Sequence, residues 1–519
     1  MKGKAQPVPI YHPLGKRNRS SLLVSAQSRD SLIGREVEIE ILNFELEKLA
    51  RGEPGGLLVI EGVTGMGKSR LLDELRRQAY TRHVTVLSGS ADLVTRSTEY
   101  NAWRSIYDQL FDLAVLTQPD ARRQHILALL ELEPELLELA PLLSKILRLN
   151  LPDNETTARL EGQARAEATR DLLIKALQAS CARSPKVLIL DDAQWLDSAS
   201  WALAWLVRQQ VQPLLLVIAS HPMTEEEESR RWYYRQLLQL PETKRMQLQL
   251  LKPEETVRLV CQRLGVVSLP EVVVDLVYER AQGHPFFTEE LVEVLRDSGV
   301  LHITADKEGR LAPGVTDLST LRLPDSIELV TIRRIDQLTP PQQLTLKTAS
   351  AIGRNFSFNL LRAIYPLEND RECLPDYLTS LEHQDITNLE TREPELNYLF
   401  KHVTTQKVAY NLMLFSQRRQ LHRAVAEWYE RTYAQDLTPY FPLLVYHWDM
   451  AEEKERALNY LEKAGLEALR SGTYQEAVRF FREALKLADA QNVSQNRRAY
   501  WQQKQTEAQA GLEDAVVSR

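Results

Sequence analysis

An α/β core on a parallel sheet, followed by a mostly helical C-terminal half, is the fold class this sequence predicts. Three stretches carry that reading. Gly56 to Leu72 reads as a buried strand, a glycine-rich turn and the start of an amphipathic helix bearing Leu71, Leu72 and Leu75. Val187-Leu188-Ile189-Leu190 is a continuous apolar run closed by Asp191 and Asp192, as a strand buried on both faces of a parallel sheet requires. Beyond Leu251 apolar residues recur at helical spacing, and after Thr438 small and aromatic residues alternate as in paired helices.

The first stretch carries the strongest chemistry. Gly62-Val63-Thr64-Gly65-Met66-Gly67-Lys68-Ser69 fits G-x-x-x-x-G-K-[ST], the phosphate-binding P-loop. Glycines let successive N–H groups point at one anion, and the helix opening at Lys68 adds unpaired N–H groups and a positive dipole end. Lys68 supplies a point charge for the β- and γ-phosphates, and Ser69 a hydroxyl for Mg²⁺. The plain alternative is a glycine-containing turn matching by chance, against which the apolar strand before it and the amphipathic helix after it both count. In Val187 to Asp192 the acids stand at the C-terminal end of a buried strand, where a parallel sheet presents its ligand crevice. This is the Walker B pattern, with Asp191 expected to hold Mg²⁺; a strand ending in an Asp-containing turn is the alternative.

The 519 residues exceed one hydrophobic core, and roughly three or four units are expected. A net charge of −7 provides no overall basic field for nucleic acid or acidic membranes. Cys181, Cys261 and Cys373 are scattered, suggesting neither a disulfide framework nor a metal site. The longest apolar run, Pro213 to Ser220, is too short to span a bilayer, and Lys2 and Lys4 precede no apolar signal region. A cytoplasmic protein is therefore expected.

In chain order, residues 1–30 are basic and contain Pro7, Pro9 and Pro13, as a linker would. Leu32 to Glu38 precedes a helix with Ile39, Leu42, Leu46 and Leu49 at helical spacing. Val84 to Ser88 reads as a second strand; Asn101 to Leu116, Gln124 to Leu149 and Glu161 to Ala182 read as helical, the middle one broken by Pro134 and Pro141. Trp195 reads as packing, and Asp197 as a helix N-cap or an acid supporting the carboxylates from behind. Pro213 to Pro222 is another buried strand, Thr224 to Arg231 a charged surface run, and Met246 to Leu251 the last core strand. Pro253 to Gly299 is a helical unit in which Gly283 ends one helix and Pro285 starts the next, with Phe286 and Phe287 in its core. Asn397 to Phe400 reads as a strand, and the small and aromatic positions between Leu458 and Leu485 mark one helical repeat of about 34 residues, with the polar tail from Gln491 as a cap or truncation.

Several of these segments resemble one family. Leu32-Ile33-Gly34-Arg35-Glu36-Val37-Glu38 is similar to the segment that precedes the P-loop in AAA+ and STAND ATPases, where its backbone packs near the adenine. Asp191-Asp192-Ala193-Gln194-Trp195-Leu196-Asp197 resembles the same signature, and Gly283-His284-Pro285-Phe286-Phe287 resembles the lid whose Gly-x-Pro touches the bound base. Phe400-Lys401-His402 through Tyr410, with Arg418 to His422, looks like a winged-helix segment. Lys2 to Tyr11 resembles the closing strand of a class III nucleotide cyclase domain, a reading that stands beside the linker.

Taken together the chain resembles the AAA-type STAND ATPase module found downstream of class III adenylate cyclase domains, here without the cyclase domain, and in related transcriptional regulators. The resemblance implies an ASCE-type P-loop core over residues 31–251, a helical lid over 252–320, a winged-helix-like domain over 321–435 and a TPR-like region over 436–519. It implies ATP and Mg²⁺ as cofactors, with Lys68 and Asp192 catalytic, Asp192 polarising the attacking water, and Ser69 and Asp191 at the metal. Nucleotide contacts are expected at Gly34, Arg35, Gly62, Val63, Thr64, Gly65, Met66, Gly67, Lys68, Ser69, Arg70 and Pro285. Two positions depart from the pattern: Asp192 where a Glu is usual, and His221 where many relatives have Arg, which puts a sensor role there in doubt. No arginine finger is identified. The expected function is a slow ATP-dependent switch with a protein partner on the helical repeats and scope for self-association. A DNA-binding regulator, although no basic recognition helix stands out, and a non-hydrolysing ATP-bound scaffold are the alternatives.

Overall fold

The central sheet is built from β1 (Leu57–Glu61), β2 (Thr85–Ser90), β3 (Lys186–Asp191), β4 (Leu214–Ser220) and β5 (Thr243–Gln247). Its order is β2-β3-β4-β1-β5, with every pairing parallel. This computed structural model describes residues 31–517 apart from 117, 132–133, 225–230, 314–322, 392–394, 490 and 492. Both readings of residues 1–30, and most of the charged run from Thr224, lie outside the described residues.

Because β4 lies between β1 and β3, the glycine-rich turn and the two carboxylates emerge one strand apart at the same edge of the sheet. Alternation along β1 divides the core. Leu58 and Ile60 join Leu46 and Leu49 of α1 (Glu36–Ala50) and Leu71, Leu72 and Leu75 of α2 (Lys68–Thr81). Leu57 and Val59 face the opposite layer, where Trp103 and Tyr107 of α3 (Asn101–Leu110), Leu173 and Leu177 of α4 (Gly162–Arg183) and Leu203 of α5 (Ser198–Gln210) pack. The last core strand differs from its expected place. It runs Thr243–Gln247 rather than from Met246 to Leu251, in register with β1 from Leu57↔Thr243 to Glu61↔Gln247. As an edge strand it is mostly polar, so the apolar residues that suggested a strand belong instead to its exit.

The next unit comprises α6 (Pro253–Leu264), α7 (Glu271–Ala281) and α8 (Pro285–Asp297), followed by an antiparallel hairpin of β6 (Leu301–Ile303) and β7 (Gly309–Leu311). The purely helical reading omits this hairpin, whose three-residue strands are too short to show a period. Next come α9 (Ile327–Asp336), α10 (Pro340–Ile352), β8 (Asn355–Ser357), α11 (Phe358–Ile364), α12 (Leu374–His383), β9 (Thr387–Thr391) and β10 (Asn397–Phe400). Thr339 and Gln342 form a capping box at the start of α10. The three strands pair antiparallel in the order β8-β10-β9, over a core that includes Phe356, Leu361, Leu378 and Phe400. Then follow α13 (Val403–Asn411) and α14 (Phe415–Thr432), whose Val425 enters the same core.

The C-terminal helices are α15 (Phe441–Met450), α16 (Lys454–Arg470), α17 (Tyr474–Asp489) and α18 (Gln495–Val517). Small residues Ala464, Ala468, Ala477 and Ala484 let α16 and α17 close around Phe481. The tail read as a polar cap is a helix of 23 residues that fully buries Trp501 and Ala508. Its polar composition hid a narrow buried stripe. This region folds back onto the core. Gln163 N donates to Tyr474 Oη at 3.1 Å, Lys145 pairs with Glu99 at 2.9 Å and Glu467 at 3.4 Å, and Arg470 pairs with Asp153 at 3.1 Å.

Candidate nucleotide-binding site

β1 is buried along its whole length and delivers the chain into the glycine-rich turn. The turn ends at Gly67 (φ +95°), a left-handed residue that gives α2 no side-chain cap, so no capping side chain occupies the first turn's N–H groups. Lys68 is buried at the start of α2, and its Nζ donates to the carbonyls of Gly62 at 2.6 Å and Val63 at 3.2 Å. Burial pushes the ammonium down from its ordinary value, the Asp192 and Asp191 carboxylates oppose that, and Arg354 adds to it. Ser69 and Arg70 are exposed on the first turn.

The acids lie at the end of β3, across β4 from the turn. Asp191 closes β3, and its Oδ1 accepts from Asp192 N at 2.9 Å. Burial, then the adjacent Asp192, raises the Asp191 carboxyl above its ordinary value, while Arg354 and Arg76 hold it down. Asp192 adopts a left-handed backbone (φ +51°) just beyond the strand, and its side chain is buried. Gln194 ties the acid to the end of β4: its Nε2 donates to Asp192 Oδ1 at 3.0 Å, and its Oε1 accepts from His221 N at 3.1 Å. His221 Nε2 lies 3.2 Å from Thr64 Oγ1. Burial, then Lys68, pushes the His221 imidazole down to about 4, so it is neutral at pH 7. His221 thus joins β4 to the glycine-rich turn by a hydrogen bond, without the charge an Arg would bring.

Three further elements converge on the turn and the acids. Arg35 is a buried staple, donating to the carbonyls of Gly34 at 2.8 Å, Met66 at 3.2 Å and Gln249 at 2.7 Å. Its guanidinium is therefore committed to the protein backbone and fixes the crest of the turn against the exit from β5. From the helical unit, Phe286 N donates to Gly65 O at 3.2 Å and His284 Nε2 to Thr64 O at 3.0 Å. The same imidazole accepts from Phe287 N at Nδ1, 3.3 Å away, which assigns the ring proton to Nε2. A Cβ on Gly65 (φ +84°) would lie 2.5 Å from the His284 ring, so only glycine permits this approach. Arg70 pairs with Glu289 of α8 at 2.7 Å. Pro285 is half-buried beside these contacts. Finally, Arg354, between α10 and β8, donates to Asp192 Oδ2.

Arg354 and Gln194 are the residues that sequence reasoning missed. Gln194 lies within the run that drew attention to the acids, and its polarity next to them was the available signal. Arg354 is 162 residues from its partner and carried no local signal at all.

Residues 31–218, which contain the glycine-rich turn, both acids and most of β4, match the family model described as an AAA ATPase domain. This segment is an AAA ATPase domain. Residues 252–308, the helices and hairpin that follow, match the model of a domain of unknown function. The chain is 24% identical over 514 residues to an uncharacterized protein of Rhizobium meliloti strain 1021, covering 95% of this chain and 46% of that protein. It is 22% identical over 465 residues to adenylate cyclase type 10 of Rattus norvegicus, covering 81% and 28%. The chain thus spans less than half the length of these curated relatives. Among solved structures, a STAND protein with a tetratricopeptide repeat sensor from Pyrococcus horikoshii aligns with 94% of this chain and 63% of its own, at 11% identity and a TM-score of 0.44. The ORC1 protein of Aeropyrum pernix, solved in complex with DNA, aligns over 79% and 96%, at 15% identity and 0.34.

The residues of the AAA domain suit a magnesium nucleotide. An uncapped helix start, a buried ammonium at the turn and a carboxylate pair one strand away provide anion and cation donors within one crevice. Among the described residues no cluster of three or more His, Cys, Asp or Glu forms a dedicated metal cage. One or two carboxylates with a hydroxyl, completed by phosphate and water oxygens, is the set that Mg²⁺ takes. No helix among the described residues is long and apolar enough to cross a membrane.

Proposed function

We propose that this chain binds ATP with Mg²⁺, hydrolyses it slowly, and uses the difference between ATP and ADP as a regulatory switch of the STAND kind. The observation that carries this reading is convergence. Groups from the AAA domain, from α8 and from the unit containing β8 to β10 all meet at one turn and one acid pair. A site touched by three units is one where a phosphate more or less can change how those units are arranged.

In this reading the N–H groups of Gly65 to Ser69 and the Lys68 ammonium hold the phosphates. Ser69 and Asp191 hold the metal, and Asp192 orients and polarises the attacking water. Mg²⁺ when bound neutralises charge on the phosphates and favours attack at the terminal one. Gln194 positions Asp192, and Arg35 and His284 keep the turn in shape. Gly34 and Pro285 flank the turn where a base would lie. The unit over α9 to α14, read as a winged helix, serves as a clamp on the AAA domain, and α15 to α18 serve as the platform for a protein partner. The relatives named adenylate cyclase type 10 support a place in adenylate-cyclase-type signalling. The scattered free cysteines fit a cytoplasmic protein.

The test is phosphate release from Mg·ATP by the purified chain, beside the Asp192→Asn and Lys68→Ala variants. Hydrolysis lost in Asp192→Asn with ATP binding kept, and binding lost in Lys68→Ala, is the expected pattern. ATP affinity of Lys68→Ala equal to that of wild type would overturn the site assignment.

A further inference from the structure

The cleft between the AAA domain and the unit that follows the lid contains an ion pair that simple nucleotide binding does not require. Arg354 enters it from a fixed base. Its carbonyl accepts from Phe400 N at 3.0 Å, and the next residues form β8 in the three-stranded sheet. Its side chain leaves that unit and reaches Asp192 Oδ2, with both groups largely buried. Asp192 Oδ1 is already engaged by Gln194. Both oxygens of the acid assigned to polarise water are therefore held by side chains. Arg354 Nε is buried without a hydrogen-bond partner, so the guanidinium keeps an unused donor in the cleft.

We propose that Arg354 is the residue through which this site distinguishes ATP from ADP, by exchanging Asp192 for the terminal phosphate. The inference rests on the ATP-site reading above. An acid that polarises the attacking water must stand beside the terminal phosphate, so a side chain bonded to that acid stands beside it too. A terminal phosphate offers more charge than a carboxylate and matches the planar guanidinium fork, including the idle Nε donor. Moving Arg354 to it would release Asp192 for its role and carry β8, with the unit behind it, to a new position. ADP lacks that phosphate and leaves the Asp192 pair intact. Arg354 is thus a positioning and specificity residue that links the presence of one phosphate to the placement of the C-terminal units.

The test is a thermodynamic cycle on the full chain, read by binding rather than turnover. Affinities for Mg·ATP and Mg·ADP are measured for wild type, Arg354→Gln, Arg354→Lys, Asp192→Asn and the Arg354→Gln/Asp192→Asn double variant. Arg354→Gln is expected to weaken ATP binding roughly ten- to hundredfold, the range for a hydrogen bond to a charged group, with ADP binding unchanged. Arg354→Lys falls between, keeping charge without the fork. Asp192→Asn removes the competitor and tightens ATP binding when Arg354 is present, but not in the double variant. An unchanged ATP-to-ADP ratio in Arg354→Gln would overturn the inference. So would loss of ADP affinity in both Arg354 variants, since a reader of the terminal phosphate spares ADP. Lys68→Ala separates the layers. If it loses both nucleotides while Arg354→Gln keeps the wild-type ratio, the site stands and the Arg354 role falls. If Lys68→Ala binds both normally, the site reading itself falls.

Discussion

Neutralising Asp197 should stabilise the protein at alkaline pH and leave it unchanged at acid pH. Asp197 caps α5, accepting from Ser200 N at 2.9 Å and from Ser200 Oγ at 2.5 Å. One residue along, Ser198 N donates to Glu476 Oε1 at 2.9 Å and Ser198 Oγ to Glu476 Oε2 at 2.5 Å. Two buried carboxylates from different units therefore share one helix start. Burial first, then the Glu476 charge, pushes the Asp197 carboxyl from 3.8 up to about 7. Between those values the folded chain keeps a proton that the unfolded chain has lost, so stability falls as pH rises and the loss is complete above 7. A shift of about three units sets a ceiling of about 4 kcal/mol, and the helix N-terminus, favouring a negative charge by about 0.3–1 kcal/mol, returns part of it. Asp197→Asn keeps an oxygen for Ser200 N and removes the charge. At pH 8 it should gain about 1–3 kcal/mol, a rise of roughly 2–10 °C in the melting temperature of the core transition; at pH 4 the difference should vanish. Calorimetry of both proteins across pH 4–8 reads the difference directly, since other titrating groups cancel. Glu476→Gln relieves the same repulsion, so the double variant should gain less than the sum. An Asp197→Asn protein that melts at or below wild type at pH 8, or a difference that does not vary with pH, would refute the reasoning.

Other perturbations follow from the packing. Gly283 has φ +76°, and a Cβ there would lie 2.1 Å from Leu251 O, so Gly283→Ala should loosen the unit of α6 to α8 by at least about 2 kcal/mol and speed proteolysis between Leu251 and Pro285. Arg35→Ala leaves the Met66 and Gln249 carbonyls without their donor and should lower core stability by roughly 2–4 kcal/mol, seen as an earlier melt. Trp501 is fully buried and its Nε1 donates to Glu462 at 3.1 Å, so Trp501→Ala should cost about 3–5 kcal/mol and unwind α18, read as lost helical circular dichroism. A variant with wild-type helicity would mean that α18 does not contribute to the C-terminal core.

The AAA core was legible because its signals are local. A strand buried on both faces, a glycine-rich turn and an acid-terminated strand each fit in under ten residues, and β1, β3 and β4 lie where their apolar runs are. β5 was displaced because an edge strand such as Thr-Lys-Arg-Met-Gln has no apolar period to read. The tail from Gln491 was read as polar because α18 buries only a thin stripe of small and aromatic residues along its 23 residues. The candidate site was legible only in part. Arg35 and His284 were found as members of motifs, but the bonds they make to backbone carbonyls depend on the chain path. His221 looked like a weakened Arg; in place, it is a neutral bridge to Thr64. Arg354 could not be found from sequence, because its meaning comes entirely from a partner across the cleft.

The two C-terminal units grip one short segment of the AAA domain. Arg354 holds Asp192, and six residues later Glu476 holds Ser198 at the start of α5. Between them the chain passes through the left-handed turn at Asp192 and the cap at Asp197. A partner that displaced α17 would strip Glu476 from Ser198 and relieve the repulsion on Asp197 in the same movement, changing the support of the segment that presents the acid. A phosphate that drew Arg354 away would act on that segment from its other end. Coupling between the helical region and the nucleotide therefore needs no long relay through the core. It needs only that residues 191–198 settle differently when held at both ends, at one end or at neither, which is the two-state behaviour that such coupling requires. The Glu476→Gln and Arg354→Gln variants address the two ends separately. If the segment couples them, the effect of Glu476→Gln on ATP affinity will depend on whether Arg354 is present.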